Sequence, residues 1–542
     1  MSTIDWTQHL IILPILLPLV AGALLIPLNE TRHSLKFGIN LASTLGVLAL
    51  AVTLLVLVDR EHWPDGIGVY LAANWAAPFG IALMVDRLAA LMLVLTALIA
   101  LAALIFSMQR WSRIGVHYHS LFQFLLTGLN GAFLTNDLFN LFVFFEVMLA
   151  ASYGLVLHGY NVHRIRAGMQ YIVINLVASF LFLIGVALIY ASTGTLNLAD
   201  LGTRVGELHP DKLLFLKMGV TILTLAFLTK SAMWPLGFWL PGIYSSASPA
   251  VAAMLVLMTK VGVYAVLRLC TSVFSPEAAA GAGFGLEALL IGGLLTIAFG
   301  AIGMLASEDG ARMAAYGAIV SSGTLLTVIG FGNPALLTVG LYYLLGSTLA
   351  TSAFMLVIEL VERIRSPGFA LLAVTMEAFA IEDKPEEPVG VGIPGTLAFL
   401  GLAFAGCALI ISGMPPLSGF VAKFGMFHAM LGMTPDTAPV PPFAWVAMAL
   451  LVVSGLAAII ALMRYGVRTF WAQGNVTPPR LTMSEAVPVT GLLVFCIALT
   501  LLTAPTLNYL ARTVDSLSRP ADQAARVLGE PPAQRHGAEA PR

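Results

Sequence analysis

Along the whole chain, apolar stretches of about twenty residues alternate with short polar connections. Each stretch is long enough to cross a ~30 Å hydrocarbon core as a helix, with its backbone groups paired internally. The pattern predicts about fourteen spans, over residues 10–29, 36–58, 81–107, 116–135, 138–158, 168–190, 213–243, 249–271, 286–306, 312–331, 335–360, 395–432, 443–463 and 485–510. The two-residue alternation of a membrane β-barrel is absent, so the expected fold is an all-α polytopic membrane protein. Residues 10–28 have no basic residue before them and no small-residue cleavage site, and are read as a first span and not as a removed signal.

Alternate connections differ in charge. Arg32 and Lys36, Arg110 and Arg113, Arg164 and Arg166, Arg363 and Arg365, and Arg464, Arg468 and Arg480 fall on one side, while the opposite connections are poorer in bases. The positive-inside rule therefore places both termini outside the cytoplasm of a bacterial cytoplasmic membrane. The one sizeable internal loop, 362–394, is acidic and falls on the basic, cytoplasmic side, and composition suggests a disordered tail over residues 511–542.

The seventh and twelfth runs, 213–243 and 395–432, are too long for straight spans. Pro235 with Gly237 interrupts one, and Gly413, Pro415 and Pro416 interrupt the other, so both helices are expected to break there. Interrupted helices in corresponding places point to inverted repeats with ion sites between them. The division expected is helices 1–3 over residues 1–115, a first five-helix repeat over 116–271, a second over 286–463, and a last helix over 485–510.

Composition sharpens the choice of chemistry. Only 10% of the 542 residues are charged, 59% are hydrophobic and the mean hydropathy is +0.92, far from a soluble domain at about 25% charged. A net charge of −1 argues against a basic nucleic-acid surface. Cys270, Cys407 and Cys496 are scattered in apolar runs and read as packing residues, with no metal spacing and no cofactor or nucleotide fingerprint elsewhere.

Against that background the buried charges stand out. Of seven lysines, Lys230, Lys260 and Lys423 lie inside apolar runs, and Glu146 lies near the middle of the fifth. A charge at the bilayer centre costs roughly 2.5 to 3.5 kcal/mol on insertion scales, so such groups face a bundle interior or an aqueous path. A static buried pair with snorkelling lysines is the competing reading, and the apolar flanks of Lys260 count against it. Contact between Glu146 and Lys230 would hold a proton on the lysine and its loss would release it, with Lys260 and Lys423 as later carriers. Asp137 is a candidate acid at the mouth of the path, although a solvated helix-end aspartate explains it as well. His158 and His163 read as interfacial, and His428 falls on a different face from Lys423.

Four stretches, FEVMLAASYGLVL, IYASTGTLNLADL, FLTKSAMWPLGFWLPGIYSSASPAVAAMLVLMTKVGVY and SGMPPLSGFVAKF, resemble the proton-translocating family shared by the antiporter-like subunits of respiratory complex I and the Mrp (Pha) multisubunit cation/proton antiporters. The resemblance covers roughly residues 80–470, and EEPVGVGIPGTLAFLGLAFAGCALIISGMPPLSGFVAKF is most similar to D-type subunits of the Mrp group. It implies fourteen helices, two inverted five-helix repeats and discontinuous seventh and twelfth helices. It also implies that Glu146, Lys230, Lys260 and Lys423 are the family's proton-carrying residues. In the eleventh run, where many complex I relatives carry histidines and a lysine, this chain has Tyr343, Ser347 and Thr351, so water and hydroxyls must bridge that point or the path stops there. The function implied is that of a subunit exchanging Na⁺ or K⁺ for protons, without a cofactor, beside partner subunits of the A, B, C, E, F and G types. The other readings are a proton-pumping subunit of a complex I-like or hydrogenase-linked redox complex, or a self-sufficient solute transporter.

Overall fold

The computed structural model describes residues 6–113, 115–159, 162–206, 208–274, 283–363, 394–433, 439–470 and 481–532. The acidic loop within 364–393 and the last ten residues lie outside that set. Each of the fourteen apolar runs falls on a helix, and the spans below keep the order of those runs. Among the described residues, twelve helices are long and apolar enough to cross a membrane; the first and fourth runs lie on the shorter helices Leu13–Leu25 and Tyr118–Leu134. Pro18 inside the first helix has no N–H to offer the Pro14 carbonyl, and Asn130 of the fourth span donates to that carbonyl at 2.8 Å instead.

The eighth span, Pro249–Ser272, is enclosed along its whole apolar length, and the tenth, Gly310–Gly330, and eleventh, Pro334–Glu362, nearly so. These three helices form the centre of the molecule. The fifth (Leu138–Val156), sixth (Val162–Thr193) and seventh spans pack on one side of them, and the twelfth, thirteenth (Pro442–Phe470) and fourteenth (Met483–Leu501) on the other.

Both expected breaks are present, and they are built alike. The seventh span runs as Pro210–Lys230, turns, and resumes as a 3-10 turn, Leu236–Trp239, followed by the short helix Leu240–Ser246. The twelfth runs as Gly395–Ser412 and resumes as Ser418–Leu431. Each first half ends in a Schellman motif: Met233 N–H bonds to Leu228 O at 3.0 Å and Ala232 N–H to Thr229 O at 3.3 Å, while Met414 N–H bonds to Leu409 O at 2.9 Å and Gly413 N–H to Ile410 O at 3.1 Å. The left-handed position is Ala232 (φ +57°) in one and Gly413 (φ +76°) in the other. Aligned on that motif, SAMWPL of residues 231–236 matches SGMPPL of residues 412–417, with a cis X–Pro bond in each. The Trp234 N–H freed by the break is satisfied by Thr296 Oγ1 of the ninth span at 2.9 Å.

Three features differ from the sequence expectation. The fold is not purely helical, because Gly68–Leu71 and Ala82–Val85 pair as an antiparallel hairpin. The third span accordingly starts at Arg87, capped by Asp86; an apolar run such as ALMV has no periodicity that separates strand from helix. The segment expected to be disordered from residue 511 is helical as far as Gly529, in Thr503–Leu517 and Pro520–Gly529. Its polar composition hides an amphipathic stripe: Leu510, Val514 and Leu517 bury on the bundle, and Ala524 and Val527 pack with Val69 and Met84 of the hairpin and Ala199 of the helix Leu198–Val205. This layer lies beside the helix Trp6–His9, whose Gln8 Nε2 donates to Glu530 Oε1 at 2.8 Å, and marks the N-terminal face of the molecule.

Candidate functional site

The charged residues singled out in the sequence fall into two clusters joined by a central lysine. In the first, Glu146 projects from the fifth span and Lys230 closes the first half of the seventh. They do not form a direct ion pair within 4 Å, so the expected Glu146–Lys230 contact is replaced by an indirect one. The sixth span stands between them. Ser179 donates to Glu146 Oε1, and Asn175, one turn away on the same face, accepts from Lys230 Nζ at 2.7 Å. Asn175 in turn donates to Tyr171 O at 2.7 Å, which fixes its oxygen toward the lysine. Gly262 lets the eighth span approach: a Cβ there would stand 2.8 Å from both Phe227 O and Ser231 N.

Lys260 lies at the centre, fully enclosed, and donates to Ser321 Oγ of the tenth span at 2.8 Å. Ser321 Oγ is 2.9 Å from Ser347 Oγ of the eleventh. Beyond Ser347 lies a cavity of about 20 Å³, lined by Ser321, Tyr343, Ser347, Thr351, Ser418 and Lys423 among others, large enough and polar enough for an ordered water. Ser418 Oγ is buried in its wall with no hydrogen-bond partner among the described residues. The hydroxyls of Tyr343, Ser347 and Thr351 thus adjoin a water-sized space between Lys260 and Lys423.

Among the described residues Lys423 is held by main chain, donating to Ser412 O at 2.9 Å and Leu451 O at 3.3 Å. Two glycines make room for it. A Cβ on Gly455 would lie 2.8 Å from its Nζ, and one on Gly413 would lie 2.6 Å from its Cδ. Pro235, Pro415 and Pro416 sit in the breaks themselves and touch the chemistry only by ending the half-helices.

Asp137 is brought to none of these clusters. It caps the fifth span, accepting from Asn140 N at 2.8 Å, about 13 Å along the helix from Glu146. Burial raises its carboxyl above the ordinary value, against the lowering pull of the Asn140 and Phe139 N–H groups. His158 is a buried strut whose Nε2 lies 3.1 Å from Trp111 O, and His428 is exposed. The sequence reading missed Asn175, Ser179, Ser321 and Gly455. Asn175 with Ser179, and Ser347 with Thr351, share an i, i+4 spacing on helices otherwise apolar, and that was the available signal.

Residues 135–382 match the family described as NADH:quinone oxidoreductase/Mrp antiporter, TM. A protein of Rhizobium meliloti (strain 1021), named as the D-type subunit of a probable K(+)/H(+) antiporter, is 52% identical over 97% of this chain and 99% of its own length. The D-type subunit of a Na(+)/H(+) antiporter of Alkalihalophilus pseudofirmus is 33% identical over 96% and 100%. Among solved structures, a chain of the Mrp complex from Dietzia sp. DQ12-45-1b superimposes with a TM-score of 0.82 at 25% identity, over 97% of this chain and all of that one. A chain of respiratory complex I from Thermus thermophilus shares the fold at a TM-score of 0.73 and 22% identity, over 96% of this chain and all of that one. By these matches over nearly its whole length, the chain belongs to the NADH:quinone oxidoreductase/Mrp antiporter transmembrane family.

Proposed function

We propose that this integral, multi-pass membrane protein is the proton-carrying D-type subunit of a multisubunit antiporter that exchanges cytoplasmic Na⁺ or K⁺ for external protons. It works beside A, B, C, E, F and G type partners in a bacterial cytoplasmic membrane, with the basic face inside. The observation that carries the reading is the line of groups Glu146, Ser179, Asn175 and Lys230, then Lys260, Ser321 and Ser347, then the cavity and Lys423. Lys423 sets its ammonium on the Ser412 carbonyl that ends one broken half-helix, where the helix dipole favours a cation, and Lys230 is the last residue of the other. A lysine so placed holds a proton, and movement of Asn175, or entry of a water into the cavity beside Lys423, lets it go. The matching breaks, on helices of opposite direction, support two inverted repeats over residues 116–271 and 286–463.

The test is coexpression with the partner subunits in antiporter-deficient bacterial vesicles, reading dequenching of a pH-sensitive dye when Na⁺ or K⁺ is added. Wild type should respond, and Lys230→Ala should not. An unchanged response in Lys230→Ala would make the lysine structural. No response from an assembled wild-type complex would favour the redox-linked pump.

A further inference from the structure

A second line of charge leaves Lys260 in another direction. On the eighth span Lys260, Tyr264 and Arg268 lie at i, i+4 and i+8, one stripe of a fully enclosed helix that rises about 12 Å toward the N-terminal face. Arg268 grips Asp86 with both ends of its fork, Nη1 to Oδ2 at 2.7 Å and Nη2 to Oδ1 at 2.6 Å. Its Nε donates to the Tyr264 hydroxyl at 2.9 Å, which itself donates to Phe133 O at 2.7 Å. Asp86 Oδ1 also accepts from Ala89 N at 2.9 Å. The two side chains are 7% and 1% exposed, and an apolar cavity of about 10 Å³ walled by Leu88, Met92, Val263 and Leu267 flanks Tyr264. Past Asp86 the polar line reaches the surface through Arg87 with Glu61 (2.8 Å) and Arg512 with Asp59 (2.8 Å).

We propose that Arg268, pinned by Asp86 and Tyr264, is an electrostatic plug that closes the direct route from Lys260 to the N-terminal face. A proton on Lys260 is thereby turned sideways, through Ser321 and Ser347, toward Lys423. The inference rests on the reading of Lys260 as a proton carrier. A guanidinium stays charged at every working pH, so it cannot pass a proton on and repels a cation approaching from either side. Tyr264 adds a second block, because its proton is committed to Phe133 O and its lone pair to Arg268. The cavity that flanks Tyr264 is walled by apolar side chains and offers a water few polar partners. Asp86 keeps the plug from being an unpaired buried charge.

The sign of the charge gives the test. Vesicles carrying the assembled complex are given a pH gradient in buffer free of Na⁺ and K⁺, and its decay is followed. Arg268→Gln, which leaves Asp86 as a bare anion, should leak about tenfold faster than wild type. Asp86→Asn, which keeps the positive charge, should stay as tight as wild type even if less complex assembles. Adding Lys260→Ala to Arg268→Gln should restore tightness. A tight Arg268→Gln complex overturns the plug. So does equal leak from Arg268→Gln and Asp86→Asn, the mark of loosened packing, and so does leak that survives Lys260→Ala. If Arg268→Gln does not assemble, the apolar pair Asp86→Leu/Arg268→Met carries the test, with leak supporting the plug and wild-type tightness refuting it. The carrier role of Lys260 is read separately, from antiport by Lys260→Ala alone, where wild-type antiport would remove that reading.

Discussion

The breaks in the seventh and twelfth spans share a Schellman end and a common run of residues, yet they use their lysines differently. Lys230 belongs to the first half of its span and lies before the break; Lys423 belongs to the second half of its own and reaches back across the break to Ser412 O. Residue for residue, the position of Lys230 is taken by Ile411 in the other half. What the two regions share is a lysine at the end of a first half-helix: Lys230 is the last residue of one, and Lys423 Nζ bonds the Ser412 carbonyl that closes the other. The difference teaches that a broken helix can recruit its lysine from either side of the break. The two regions also differ in what answers the lysine: side chains from the fifth and sixth spans in one, main-chain carbonyls and a cavity of hydroxyls in the other.

That contrast can be broken in steps. The largest effect is expected from Lys423→Ala and Glu146→Gln, each lowering dye-monitored antiport by about a hundredfold, to background, if both ends act in one path. Antiport by Lys423→Ala at the wild-type rate would confine function to the first region. Next come the glycines. Gly455→Ala puts a methyl 2.8 Å from Lys423 Nζ and 2.6 Å from Ser412 O, and should cut antiport about tenfold with the complex still assembled. Gly262→Ala meets backbone at Phe227 O and Ser231 N and touches Lys230 only at its Cβ, 3.2 Å away and far from the ammonium, and should instead lower the melting temperature of the purified complex through roughly 1–3 kcal/mol of overpacking. Ser347→Ala removes one hydroxyl beside a water-sized space, and a severalfold loss of antiport, about threefold, is expected. The smallest change is Ala232→Gly. Relief of a left-handed alanine is offset by the freedom gained in the unfolded chain, leaving stability within about 1 kcal/mol, whereas Gly413→Ala adds that same strain to a clash with Lys423. Thermal melts of the two variants should therefore separate clearly.

Much of this was legible because charges and prolines are rare in apolar runs. Lys230, Lys260, Lys423 and Glu146 announced themselves by their cost in lipid, and Pro235, Pro415 and Pro416 by the hydrogen bonds they cannot make. Asn175, Ser179 and Ser321 did not, since a neutral polar residue is cheap enough in a membrane helix to occur without a partner, and only packing shows which face it serves. The indirect link between Glu146 and Lys230 was hidden for the same reason: two charges were visible and the helix between them was not. Asp86 and Arg268 lie 182 positions apart and meet only in the fold. The hairpin and the last two helices were obscured by composition, which averages over an amphipathic stripe.

The hairpin has a consequence for how the protein is made. Val69 leaves the ribosome early, yet the residue that covers it, Val527, follows roughly 450 residues later, on the order of half a minute at ~15 residues per second. Until then the hairpin's inner face has only part of its covering, while the helices behind it insert one after another. A chain that stops before the helix Pro520–Gly529 lacks the cover of Ala524 and Val527 over the hairpin face around Val69 and Met84, so a sheet made among the first elements is closed by one of the last.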